Sequence, residues 1–183
     1  MPLQIDDSVD ISHVSGNAPD EIKRIIVTVF PTIDSRHAKG RRGYSEEIAK
    51  RMVVTEVSIL CHPEELKKIG RVVCELEVHD DMINGSRTIH GGCSAFLVDM
   101  CSSMASTALA LNNEATANLV SQSLNVVYHS PAVVGDKLRI VNATMTMGSR
   151  ATSIKTEIWN ITHHRLVASG VHIKMQPSEK SKL

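Results

Sequence analysis

From Gly92 to Leu111 the chain reads GCSAFLVDMCSSMASTALAL, with no proline, no further glycine and no β-branched cluster. Such a run predicts a helix of about five turns. Its apolar positions, among them Phe96, Val98, Met100, Met104, Leu109 and Leu111, spread around more than one face. A helix apolar on most sides has to be buried on most sides. Whatever else the chain forms must enclose this segment.

The flanking sequence supplies strands to do so. Met52 to Leu60 and Val72 to His79 alternate before the helix. After it come further strands, Leu119 to His129, Lys137 to Met147, Ala151 to Ile161 and Leu166 to Met175. Ser130-Pro131, Gly135-Asp136 and Gly148-Ser149 mark turns between them. His62 to Gly70 (HPEELKKIG) reads as a helical turn inserted between the first two strands. Consecutive strands joined by tight turns form an antiparallel sheet, so the predicted fold is α+β, an antiparallel sheet wrapped around one long central helix.

Two features give the helix a chemical interest. Asp99 is the only acid in it, flanked by Val98 and Met100. A carboxylate there either sits on an exposed edge bonded to a neighbouring Ser, or is paired with or used by something else. At the start, His90-Gly91-Gly92 puts two residues without side chains where the first unpaired N–H groups point outward. Those donors lie at the positive end of the helix dipole and suit a carbonyl oxygen that turns negative during acyl transfer. Gly91 permits close approach, His90 can orient the turn or donate to the same oxygen, and Asn84 can hydrogen-bond back across the loop. Gly92 and Phe96 are candidate substrate contacts. Asp99 lies about 12 Å along the axis from Gly91 and about 80° around it, so its side chain cannot reach a carbonyl held at Gly91. If both act on one substrate, the acid comes from a second copy, and the expectation is a homodimer with its sites at the interface.

Composition narrows the class. The 183 residues are 42% hydrophobic with 20 basic and 20 acidic side chains, which fits one domain with a sizeable core and gives no electrostatic reason to expect a nucleic-acid or anionic-membrane partner. The four cysteines, Cys61, Cys74, Cys93 and Cys101, form no C-x-x-C pair and no ligand spacing with His. They read as small buried residues in a reducing compartment; no metal site is expected. No run of about 18 uninterrupted apolar residues occurs, so no membrane span is expected.

Residues 1–44 read as an N-terminal extension, without the apolar core of a secretory signal. Its first 19 residues are expected to be flexible or loosely packed, and Pro19 to Phe30 to form a short helix with Ile22, Ile25 and Ile26 on one face. The basic stretch from Ser35 to Tyr44 reads as a solvated loop, and Ser45-Glu46-Glu47 starts a second short helix. Residues 45–176 form the main domain, and 177–183 a polar tail.

Asn84, Thr88-Ile89-His90-Gly91-Gly92, Leu97-Val98-Asp99 and the later Asn125-Val126-Val127-Tyr128-His129-Ser130-Pro131-Ala132 with Gly135-Asp136 together resemble the hotdog-fold acyl-CoA thioesterases, in the branch that includes the phenylacetate-pathway enzymes. The resemblance runs from about Ser45 to Met175. It implies that the Gly91 N–H, with His90 and Asn84, polarises a thioester carbonyl, and that Asp99 of the neighbouring subunit is general base or nucleophile. It also implies that Ser121 helps place the water, that Arg150 is a candidate contact for CoA phosphates, that dimers pair into homotetramers, and that no cofactor is bound. Arg87 stands where such enzymes commonly have Gly.

The terminal Ser181-Lys182-Leu183 matches a peroxisomal address; the expectation is import by the peroxisomal receptor, or a cytoplasmic location if the tripeptide is fortuitous. The competing reading is a non-catalytic acyl-CoA-binding or regulatory hotdog protein. A hotdog hydratase is disfavoured because no D-x-N-P-x-H-like stretch is present.

Overall fold

The computed structural model describes residues 8–29 and 43–177. The segment 36–42 and the terminal tripeptide lie outside the described residues, so the loop and targeting expectations have no structural counterpart here. Three helices, α1 (Asp20–Val29), α2 (Glu46–Arg51) and α3 (Gly91–Asn112), accompany strands β1 (Val53–Cys61), β2 (Lys68–Glu77), β3 (Val120–Tyr128), β4 (Lys137–Met147), β5 (Ala151–Asn160) and β6 (Arg165–Met175). The six strands make one antiparallel sheet in the order β1-β2-β4-β5-β6-β3. The expected α+β arrangement is therefore present, with β3 displaced to the edge beyond β6.

The central helix lies on the sheet through Leu97, Val98, Cys101, Met104, Ala105 and Ala108, all fully buried. Facing them, β4 and β5 turn Leu138, Ile140, Ile154 and Ile158 inward at the two-residue period of a pleated strand. Helix and sheet meet so closely at Gly70 of β2 that a Cβ there would overlap the Ala105 carbonyl oxygen. The same holds at Gly170 of β6, where a Cβ would lie 2.9 Å from both the Asn125 carbonyl oxygen and Val98 Cγ1. By length and composition α3 is apolar enough to cross a membrane, with a mean hydropathy of 1.4, but 67% of that window is buried inside the fold.

Several local expectations are corrected. Residues 62–66 close one helical turn, the Leu66 N–H donating to the His62 carbonyl at 2.9 Å, but it ends sooner than expected: it links β1 to β2, and Lys68–Gly70 already pair with Ile59–Cys61. Residues 8–18 are tied down: Ser15 and Ala18 donate to the carbonyls of Thr55 and Val57, Val14 and Ala18 are buried, and Asn17 bonds both backbone groups of Ile59. The apolar face of α1 then packs over α3 through Ile22, Ile25 and Ile26. Ser45-Glu46-Glu47 does start α2, the Ser45 carbonyl accepting the Ile48 and Ala49 N–H groups at 3.0 Å, although the Ser45 side chain makes no cap bond and its φ of 50° lies in the left-handed region. Of the cysteines, Cys74 and Cys101 are buried, Cys93 is half-buried and Cys61 is exposed.

One stripe of α3 escapes the sheet. Gly92 is exposed and Ala95, Phe96, Asp99, Met100 and Ser103 are half-buried, a spacing of three to four residues that defines one face. Beside this face runs β3, which is exposed over its whole length except at the half-buried Val126.

Candidate active site

The first half of the site is the turn that enters α3. Asn84 donates its N–H to the Thr88 carbonyl at 2.8 Å and accepts from the Arg87 N–H at 2.9 Å. Its side-chain oxygen takes the Ser86 N–H at 2.9 Å and both the N–H and hydroxyl of Thr88 at 3.3 Å. Oδ1 holds the turn, which leaves the amide NH₂ as the remaining donor of Asn84, a residue that lines the cleft. Arg87 adopts φ 60°, a conformation that favours glycine, so it keeps the loop geometry expected of a Gly at this position.

His90 is the N-cap of α3, and its Nδ1 accepts the Gly92 N–H at 2.8 Å. An accepting Nδ1 leaves the proton on Nε2. The ring thus takes the Gly92 donor, and a Cβ at Gly92 would crowd Nδ1 at 3.0 Å; Gly92 serves the cap. The Gly91 N–H has no partner among the described residues. It remains the one unclaimed donor of this Gly pair, at the positive end of a 22-residue helix. Cys93 is no nucleophile here, since burial pushes its thiol up to about 11.

Above this turn stands Tyr128, the last residue of β3. Its hydroxyl donates to the Gly91 carbonyl at 3.1 Å, and a Cβ at Gly91 would meet its ring at 3.3 Å. Gly91, Ser94, Tyr128, His129, Pro131 and Val167, with the Asn84–Ile89 loop, surround an open cleft of about 340 Å³, within the size range of small-molecule sites.

The second half of the site is centred on Asp99. The acid is not buried, its side chain being 49% exposed. Ser121 Oγ donates to Asp99 Oδ1 at 3.1 Å, and His172 Nε2 lies 3.4 Å from the same oxygen. His172 is fully buried and contacts Ser102 Oγ through Nδ1 at 2.7 Å. A carboxylate facing Nε2 favours the tautomer with its proton there. Burial is the main cause that lowers the His172 pKa, Lys174 lowers it further, and Asp99 opposes both. Lys174 Nζ donates to Ser103 Oγ at 2.7 Å, and Ser103 in turn donates to the Asp99 backbone carbonyl at 2.8 Å. Burial lowers Lys174 too, while Asp99 raises it.

Within one chain these halves stay apart. Gly91 and Asp99 are separated by about 12 Å of helix rise, and Tyr128 and Ser121 by about 23 Å of extended strand. Phe96 lies in neither half; it packs edge-on against Tyr44 with centroids 5.5 Å apart. Arg150 is exposed at the β4–β5 hairpin, away from the cleft. Sequence reasoning assigned no role to Tyr128, Ser94, His172 or Lys174. A signal existed for the last two, since Ala168, Gly170, His172 and Lys174 share the inward face of β6, where a polar pair has to have partners.

A family model described as the thioesterase superfamily matches residues 87–167. Acyl-coenzyme A thioesterase 13 from Homo sapiens is 34% identical over 105 residues, 57% of this chain and 72% of that protein. The chain belongs to the thioesterase superfamily. It is an acyl-CoA thioesterase homologue, and its fold is the hotdog. The crystal structure of zebra fish thioesterase superfamily member 2 superposes with a TM-score of 0.64 at 24% identity, covering 84% of this chain and 96% of that one. A thioesterase protein from Streptococcus pneumoniae, solved with coenzyme A, superposes with a TM-score of 0.58 at 18% identity, over 72% and 90% of the two chains. The region that the superfamily model spans begins at Arg87 and so takes in the Gly91 turn, Asp99, Ser121 and Tyr128.

Proposed function

We propose that this chain hydrolyses acyl-CoA thioesters at sites shared by two antiparallel copies. The observation that carries the reading is that β3 bears both halves of the site at opposite ends, Ser121 bonded to Asp99 and Tyr128 bonded to Gly91, and is itself an edge strand. An unpaired edge that exposes Val120, Leu124, Val127 and Tyr128 calls for a partner. Full-length antiparallel pairing of Val120–Tyr128 with itself sets Val120 opposite Tyr128 and Ser121 opposite Val127. The acid half of one copy then meets the Gly91 half of the other, removing the separation that one chain cannot bridge.

The chemistry follows from the groups. The thioester carbonyl oxygen sits on the Gly91 N–H, with the Asn84 amide as second donor, so negative charge develops at the helix N-terminus. Ser121 occupies one oxygen of Asp99, leaving the other to take a proton from water as general base. Water oxygen bonds to the carbonyl carbon, the oxyanion forms, and its collapse breaks the carbon–sulfur bond. The CoA thiolate leaves with the proton that Asp99 had taken. His172 and Lys174 stand behind the acid, and the name of the human relative and the coenzyme A in the Streptococcus pneumoniae structure support the substrate class.

CoA release from short, long and aromatic acyl-CoAs, measured for the wild type and Asp99→Ala, tests this. Turnover lost in the variant supports the proposal. Acyl-CoA binding without turnover by the wild type would instead establish a binding protein in which Asp99 is structural.

A further inference from the structure

The cleft beneath Gly91 holds one polar group that the hydrolysis does not use. Ser94 is 1% exposed and lines the cleft, and its hydroxyl has no hydrogen-bond partner. A serine inside a helix usually bonds back to a carbonyl three or four residues earlier. Ser103 and Ser106 of the same helix do so. Apart from the Asn84 amide, which the proposed hydrolysis uses, the other polar side chains around the cleft have partners within the protein: Asn84 for Thr88, Gly91 for Tyr128, Ser169 for His129 and the Leu166 carbonyl for Ser130. An orphaned buried hydroxyl is costly. Ser94 itself lines a space that a ligand can enter.

We infer that Ser94 is a specificity-determining residue, and that the preferred acyl groups carry a hydroxyl or oxo substituent on the carbons next to the thioester. The inference rests on the proposed function, which places the carbonyl at Gly91. Ser94 lies three residues on, about 4.5 Å along the axis, and helical side chains lean back toward the N-terminus. Its hydroxyl therefore stands beside the second or third carbon of the acyl group, and not beside the far end of a long chain. An unsubstituted alkyl chain would leave the hydroxyl unpaired, whereas a substituent oxygen would satisfy it; sites built this way discriminate through the unmade bond.

The test uses hydrolysis-inert ketone analogues, butanoyl-CoA and 3-hydroxybutanoyl-CoA with a methylene between carbonyl and sulfur, titrated calorimetrically into wild type, Ser94→Ala and Ser94→Thr. The wild type should bind the hydroxylated analogue about fivefold to tenfold more tightly, the range of one hydrogen bond. Ser94→Ala should abolish the difference, and Ser94→Thr should keep it. Because the hydroxyl has no partner in the fold, Ser94→Ala should not lower Tm. Equal affinities in the wild type, or equal weakening of both analogues by Ser94→Ala, would overturn the inference. A Ser94-dependent preference with no CoA release from the true thioesters would sustain it and overturn the hydrolytic reading. Failure of either analogue to bind would overturn both.

Discussion

Ser121 donates its hydroxyl to Asp99 at 3.1 Å across the gap between the edge strand and the central helix. Both groups face outward, Ser121 exposed and the Asp99 side chain 49% exposed. A carboxylate that water can reach does not suffer the cost of an unpaired buried charge. What it lacks within its own chain is an electrophile, because the Gly91 donor lies at the other end of β3.

Val127 is 49% exposed near the end of β3, so it should matter for assembly and little for the fold. Val127→Lys would put a charge on the pairing edge. Light scattering should show monomers and CoA release should disappear, while far-UV circular dichroism stays unchanged. Stability should change by no more than about 0.5 kcal/mol per chain beyond the loss of association.

His172 gives stability a pH signature. Burial, and then Lys174, hold its folded pKa below 6.5. An unfolded imidazole takes up its proton near pH 6.5, but the folded one only at lower pH, so the unfolded state binds more protons in that window. The His172 contribution to Tm should be level above roughly pH 7 and fall as pH drops through about 6.5 toward the folded value. His172→Asn should flatten that slope, from a lower plateau because the Ser102 contact is altered.

At Gly70 the central helix touches the sheet backbone. Gly70→Ala would drive a methyl group into the Ala105 carbonyl, a rigid neighbour. Destabilisation of about 1–3 kcal/mol is expected; it should appear as a lowered Tm, with acyl-CoA still turned over at temperatures below the transition.

The sequence made the architecture legible where turns and apolar runs were strong. The Gly135-Asp136 and Gly148-Ser149 turns bounded Lys137 to Met147 and gave β4 to the residue, and the apolar run after Gly91 gave α3. It overran at Lys68–Gly70: the helical turn closes between His62 and Leu66, but pairing with β1 takes the following residues into β2. Half of the candidate site was legible too, since Asn84, His90, Gly91 and Asp99 fall within 16 residues of one another. Tyr128, His172 and Lys174 were harder because they reach the site only through strand order. Nothing in the sequence places β3 next to β6 with 36 residues between Tyr128 and Arg165. Phe96, a candidate substrate contact by sequence, has Tyr44 packed edge-on against it, a neighbour 52 positions away that only the fold brings there.

The shared site is tested most directly by mixing two inactive chains. Gly91→Val removes the close approach at the donor and Asp99→Asn removes the base, and each homodimer should be inactive. Co-expressed, half of the dimers contain one chain of each kind, and each such dimer has one intact site, so about a quarter of wild-type CoA release should return. If the co-expressed pair is no more active than either variant alone, the acid works with the Gly91 of its own chain or not at all, and the account is wrong.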